Sequence, residues 1–207
     1  MDQYYRSAIR LLFLIVHGAV KAKARLNAQH DSVFSGATKL HALDFWVRYP
    51  DYLAQELITR YEATRNKADL DMAAHILTTG EPELRNVPKV RYLFGAYERL
   101  DQPLAILKAR DLAQPRSRKL PNNFEEYEYW SGPKARTLLD DAVKAVPLLA
   151  WYRDRTILVL DIAGNDGGEA LKARQKLQME YLQAKYRTDI PMIADRVRAR
   201  LAAIGGS

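Results

Sequence analysis

Four histidines, one run of glutamates and one dense group of cations are the side chains able to do chemistry in this 207-residue chain. His17, His30, His41 and His75 fall in no metal-ligand spacing such as His-Glu-x-x-His, so ordinary surface or core roles are expected of them. His41 and Asp44 stand three apart, which predicts a helix-surface pair. Asp140-Asp141 and the run Glu125, Glu126, Glu128 supply carboxylates that acid–base or Mg²⁺ chemistry would use. No His or Lys accompanies them at a telling spacing, which disfavours catalysis. Asn165-Asp166-Gly167-Gly168 lacks the Lys-Ser/Thr of a phosphate loop and reads as a turn. No enzyme activity, cofactor or metal is therefore expected.

The cations are the stronger signal. Between Arg85 and Lys119 nine Lys and Arg face only Glu98, Asp101 and Asp111, in a chain whose net charge is +7. That is the sign and density of a phosphate-contacting surface. Lys108, Arg110, Arg116, Arg118 and Lys119 are the expected DNA-binding residues, the last three in a charged loop between two strands. A second group, Phe45, Trp46, Arg48, Tyr49 and Tyr52, admits two readings: a helix corner packed into a core, or a docking surface anchored by Trp46, Arg48, Tyr49 and Tyr52. A third, the basic tail of Lys172, Arg174, Lys176, Lys185, Arg187, Arg196, Arg198 and Arg200, reads as a solvated helix face with phosphate contact as the alternative.

The elements that must position these groups are mostly helical. Tyr5, Ile9, Leu12, Phe13, Val16 and Val20 recur at three and four, predicting a helix from Tyr4 to about Arg25. Thr38 is a plausible cap for a second helix, which Pro50 ends while opening a third through Arg65. A short helix ends at Gly80, and "PKVRYLFGAYERL" reads as an amphipathic helix. "QPLAILKARDLA" is a further helix, Asn122-Asn123 a turn and "FEEYEYW" an aromatic-rich strand. Ser131 is the expected cap of the helix "SGPKARTLLDDAVKAV". "LLAWYRDRTILVLDIA" favours a helix over a buried strand at Thr156–Ile162. "EALKARQKLQMEYLQAKYR" and "DIPMIADRVRARLAAI" complete a basic helical tail.

A helix, strand, charged loop and returning strand predict a mainly α fold. Its core would be winged-helix-like, with a short β-hairpin wing and a C-terminal helical appendage. The regions are 1–80 (helical), 81–146 (winged-helix-like) and 147–207 (basic helical). A hydrophobic content of 48% with 28% charged residues argues against wholesale disorder. Zero cysteines exclude disulfides and thiolate metal sites and fit a reducing compartment. The apolar run Ile9–Val20, broken by Arg10, His17 and Gly18, is too short for a span, and Asp2 does not suit a signal peptide. A cytoplasmic protein without membrane contact is expected.

The segments "RLLFLIVHG", "KLHALDFWVRYPDYLAQEL", "LAILKARDLAQP…FEEYEYW" and "ARTLLDDAVKAVPLLAWYRDR" together resemble the small middle component of bacterial three-component ABC-ATPase systems, the small subunit of Lamassu-type anti-phage defence complexes. The resemblance implies a non-enzymatic accessory subunit that bridges a large SMC-like ATPase and an effector subunit, close to double-stranded DNA. It carries no catalytic residues across. The other reading of the same elements is a stand-alone winged-helix transcriptional regulator. That reading needs base-reading side chains on "QPLAILKARDLA", which offers only Gln102, Lys108 and Arg110.

Overall fold

Gly18 is the last residue of the first helix. A Cβ there would lie 2.8 Å from the Phe34 ring and 3.1 Å from Leu160, so only glycine admits that packing. In the computed structural model, which describes residues 3–79, 90–92, 95–97, 99–120 and 125–205, helix α1 spans Gln3–Gly18 and stops there. The helix expected to reach Arg25 is thus cut short, because Val20–Lys21 (β1) pairs antiparallel with Ser32–Ser35 (β2). The described residues form ten helices and a four-stranded antiparallel sheet, mainly α with a β-hairpin as the sequence predicts.

The chain divides into two compact units, each discontinuous in sequence: residues 1–44 with 98–172, and residues 45–97 with 173–207. The boundaries fall inside helices α2 (Ala37–Arg48) and α8 (Gly168–Lys176), not at the edges of regions 1–80, 81–146 and 147–207.

In the first unit α1 is buried almost all round its second half: Leu11, Leu12, Phe13, Leu14 and Ile15 are all at most 1% exposed. It packs against α5 (Asp101–Ala109) and α7 (Leu148–Ala163), with Phe13 stacked on Tyr152 at 6.2 Å. The stretch Thr156–Ile162 is helical, as favoured. The sheet has the order β1-β2-β6-β5, with β5 at Gln114–Lys119 and β6 at Glu125–Ser131. Phe34 on β2 lies opposite Tyr129 on β6, their rings 6.2 Å apart, and both side chains are buried. Ser131 is the last residue of β6, so it does not cap α6 (Pro133–Ala145); Gly132 holds that position. A Cβ on Gly132 would fall 1.7 Å from the Gln29 carbonyl oxygen, so no other residue fits. Thr38 likewise lies within α2, which begins at Ala37 after Gly36 in a left-handed conformation (φ +98°).

The second unit is built on the Pro50 corner, with Pro50 in the first turn of α3 (Pro50–Thr64) as expected. Arg65, at φ 58°, turns the chain into α4 (Lys67–Thr78), whose first turn is capped by Asn66 accepting from Ala68 N at 3.2 Å. Arg60 holds Asp69 through two hydrogen bonds, of 2.8 and 2.5 Å, locking the pair of helices. The predicted helix at "PKVRYLFGAYERL" is instead a hairpin over its described part, β3 (Val90–Tyr92) with β4 (Gly95–Tyr97). Gly95 in a helix interior costs about 1 kcal/mol, and β-branched Val90 and aromatic Tyr92 and Tyr97 favour strand pairing. Gly80 and the Asn122-Asn123 turn lie outside the described residues. The single helix expected over 169–187 is two, α8 and α9 (Met179–Gln183), and α10 (Ala194–Gly205) closes the unit.

Candidate nucleic-acid interface

Helix α5 reads inward through Pro103 and Leu107, both buried, and outward through Asp101, Gln102, Ala105, Lys108 and Ala109. The outward residues repeat at three and four, which places them on one face. Lys108 occupies the last turn, where a cation complements the helix dipole. The chain leaves through Arg110 and then Asp111 at φ 55°. Arg110 is exposed, and its carbonyl accepts a hydrogen bond from Lys134 Nζ at 2.7 Å. Lys108 and Arg110 thus lie at the C-terminal end of α5, which stops at Ala109, earlier than the helix expected over "QPLAILKARDLA".

The other three predicted cations differ from expectation in one respect. Arg116, Arg118 and Lys119 belong to strand β5 itself, not to a loop between strands. Register with β6 sets Arg116 opposite Glu128, Arg118 opposite Glu126 and Lys119 opposite Glu125. Arg118 donates to Glu126 at 2.6 Å and lies 3.0 Å from Glu128 Oε1. The hydrogen bond to Glu126 raises the Arg118 pKa above the ordinary guanidinium value. The glutamate run, a possible metal or acid–base group in sequence, is the counter-charge of this hairpin. Trp130 Nε1 also donates to Glu128, at 2.9 Å.

Strand alternation then sorts the cations by face. Tyr129 is buried, so Pro115, Ser117 and Lys119, with Tyr127 and Glu125, share its side of the sheet. Arg116 and Arg118 share the opposite side with Glu126, Glu128 and Trp130. Beyond the buried Tyr129, Ser117, Lys119 and Tyr127 are exposed on the core-facing side of the hairpin. Tyr127, 47% exposed, was not among the sequence candidates; the strict alternation of "EEYEYW" about Tyr129 was the available signal.

The predicted partner anchors are a correction. Trp46, Arg48, Tyr49 and Tyr52 are at most 4% exposed, so they belong to the core and present no docking surface. Phe45 gathers the rings of Tyr49, Tyr52 and Tyr181 at 4.5, 4.9 and 5.4 Å, and Arg174 lies over Trp46 at 4.9 Å. Burial and the neighbouring Asp51 push the Tyr52 hydroxyl far above the ordinary tyrosine range. That hydroxyl donates to the Pro191 carbonyl at 2.9 Å.

The remaining titratable groups are dispersed. His30 is buried, with Nδ1 2.9 Å from Asn27 Oδ1 and Nε2 3.5 Å from Asp111. His75 lies 3.2 Å from the Thr79 hydroxyl, and His17 stacks on Phe13. Asp44, expected beside His41, is bound by Arg10 in a buried pair. Asp140 and Asp141 lie on α6, and Asp141, an exposed residue, sits 3.5 Å from Lys144. Among the described residues no three His, Cys, Asp or Glu converge as a metal site, and no helix is long and apolar enough to cross a membrane. Comparison of the chain with protein-family models, with curated proteins and with solved structures finds no match.

Proposed function

We propose that the chain is a non-catalytic binding protein whose first unit is a winged-helix-type module seated on duplex DNA phosphates without strong sequence preference. The observation that carries this reading is the order of elements around α5. A helix, two short strands, a second helix, and then, beyond α3, α4, β3 and β4, α5 and the β5–β6 hairpin come in chain order, and β6 lies between β2 and β5 in the sheet. This order supports a winged-helix reading in which residues 45–97 are an interruption. Lys108 and Arg110 end the helix that enters the groove in such modules, and Lys119 with Tyr127 lies on the core-facing side of the hairpin. The exposed residues of α5 are otherwise Asp101, Gln102 and two alanines, too little for base readout. This favours an accessory subunit of an SMC-like ATPase defence or DNA-maintenance assembly over a stand-alone regulator.

The test is duplex binding by the variant Lys108→Ala/Arg110→Ala/Lys119→Ala across a salt series. Affinity should fall alike on unrelated sequences, and the salt slope should drop by about one for each phosphate no longer neutralised, two to three in all. Wild-type affinity and slope in the variant would refute the interface. Pull-down of tagged chain from its native host should recover a large ATPase. A lone dimer that selects a palindrome would favour the regulator.

A further inference from the structure

The apolar surface of the second unit is concentrated between residues 177 and 192. Leu177 is 77% exposed, Met192 60%, Met179 56%, Leu182 49% and Tyr186 47%. Within the same stretch Tyr181, Ile190 and Ile193 are buried, so the segment is anchored and its outward side is a built surface. Two anchors meet on one residue: the Tyr52 ring lies 6.4 Å from the Tyr181 ring, and the Tyr52 hydroxyl bonds the Pro191 carbonyl. The Met179–Leu182 turn and the Met192 segment are therefore neighbours. Exposed apolar side chains gathered on one anchored segment in this way mark an interaction site.

Its charge sets the partner. In and beside the segment Lys176, Lys185, Arg187 and Arg196 stand against Glu180 and Asp189, with Arg196 2.7 Å from Glu180 and Arg187 lying over the Tyr186 ring at 5.2 Å. A second copy of this chain would bring like charges together in a two-fold contact. Methionine and leucine side chains adapt to a packed helix face. We propose that this surface docks an amphipathic helix of a partner protein, with an apolar stripe flanked by acidic residues. The proposal is independent of the nucleic-acid reading of the first unit.

The full chain would be titrated with a synthetic helix bearing a leucine stripe and glutamate flanks, with its lysine-flanked counterpart, and with phosphatidylserine vesicles. The acidic helix should bind, with salt-sensitive affinity, about tenfold more tightly than the lysine-flanked one. Met179→Ser/Leu182→Ser and Lys176→Glu/Lys185→Glu should each weaken it about tenfold at unchanged melting temperature, since the replaced side chains are not buried. No binding, equal binding of both helices, or affinity untouched by either variant would overturn the proposal. So would vesicle binding without helix binding, or self-association abolished by Leu182→Ser.

Discussion

Two stretches of the chain look equally basic, the hairpin strand β5 and the tail helices α8–α10, and the structure uses them differently. In the tail, Arg174, Arg196 and Arg200 each reach a carboxylate on another element: Glu56 at 2.6 Å, Glu180 at 2.7 Å and Glu62 at 2.7 Å. Arg198 bonds Asp195 and the Leu77 carbonyl. These arginines tie the second unit together. In β5 only Arg118 is so held, while Arg116 and Lys119 make no ion pair among the described residues. What a cation does is thus set by the register and packing of its neighbours, which a charge count along the chain does not contain. Exposed pairs are worth about 0–1 kcal/mol, so the tail's pairs add position more than stability. Arg174 is the exception: its guanidinium also covers buried Trp46.

The contrast can be broken most sharply at that tryptophan. Trp46→Ala should cost about 3–5 kcal/mol by leaving a cavity beneath Arg174, whereas Arg116→Ala on exposed β5 should stay within about 0.5 kcal/mol. Urea denaturation of both variants checks this; a Trp46→Ala protein as stable as wild type would mean the tail arginines rest on nothing rigid. An intermediate effect is expected when the hairpin is made to resemble a free basic surface. Glu126→Gln/Glu128→Gln releases Arg118, and duplex affinity at low salt should rise several-fold, about 1 kcal/mol; unchanged affinity would confine the hairpin's contact to the Lys119 face.

The smallest effect concerns a cross-element pair in the first unit. Arg136 donates two hydrogen bonds to Asp31, both of 3.0 Å, and these hold the Asp31 carboxyl at about 2, below its ordinary 3.8. Since folding depresses this pKa, its contribution is complete above about pH 4 and is lost as pH falls toward 2. Asp31→Asn should flatten the stability profile in that window and leave the higher-pH slope alone, as read by denaturation at stepped pH.

Much of the architecture was legible because it rests on local chemistry. Pro50 both ends and opens a helix, and "FEEYEYW" carries the alternation of a strand. The departures share a cause, tertiary context overriding local pattern. The periodicity through Val20 and Arg25 said nothing of Phe34 waiting against Gly18. The helix over 169–187 breaks where Leu177 and Gln178 donate to carbonyls three residues back, and Tyr181 enters the ring cluster. For the site, Lys108 and Arg110 were readable from sequence, but the side of β5 on which each cation lies was not. It follows from register with a strand whose position in sequence says nothing of pairing. The aromatic corner was ambiguous for the same reason: Trp, Tyr and Arg serve both as core and as interface, and only burial separates the two.

The pairing of β2 with β6 joins residues 32–35 to residues 128–131. During synthesis the amino-terminal half must therefore wait. Until Ser131 clears the ribosome, Phe34 has no Tyr129 to cover it, and one edge of β2 stands open to any other extended segment. Closing a loop of that length costs chain entropy before the pairing stabilises anything. The sheet of the first unit is complete only when its last strand arrives.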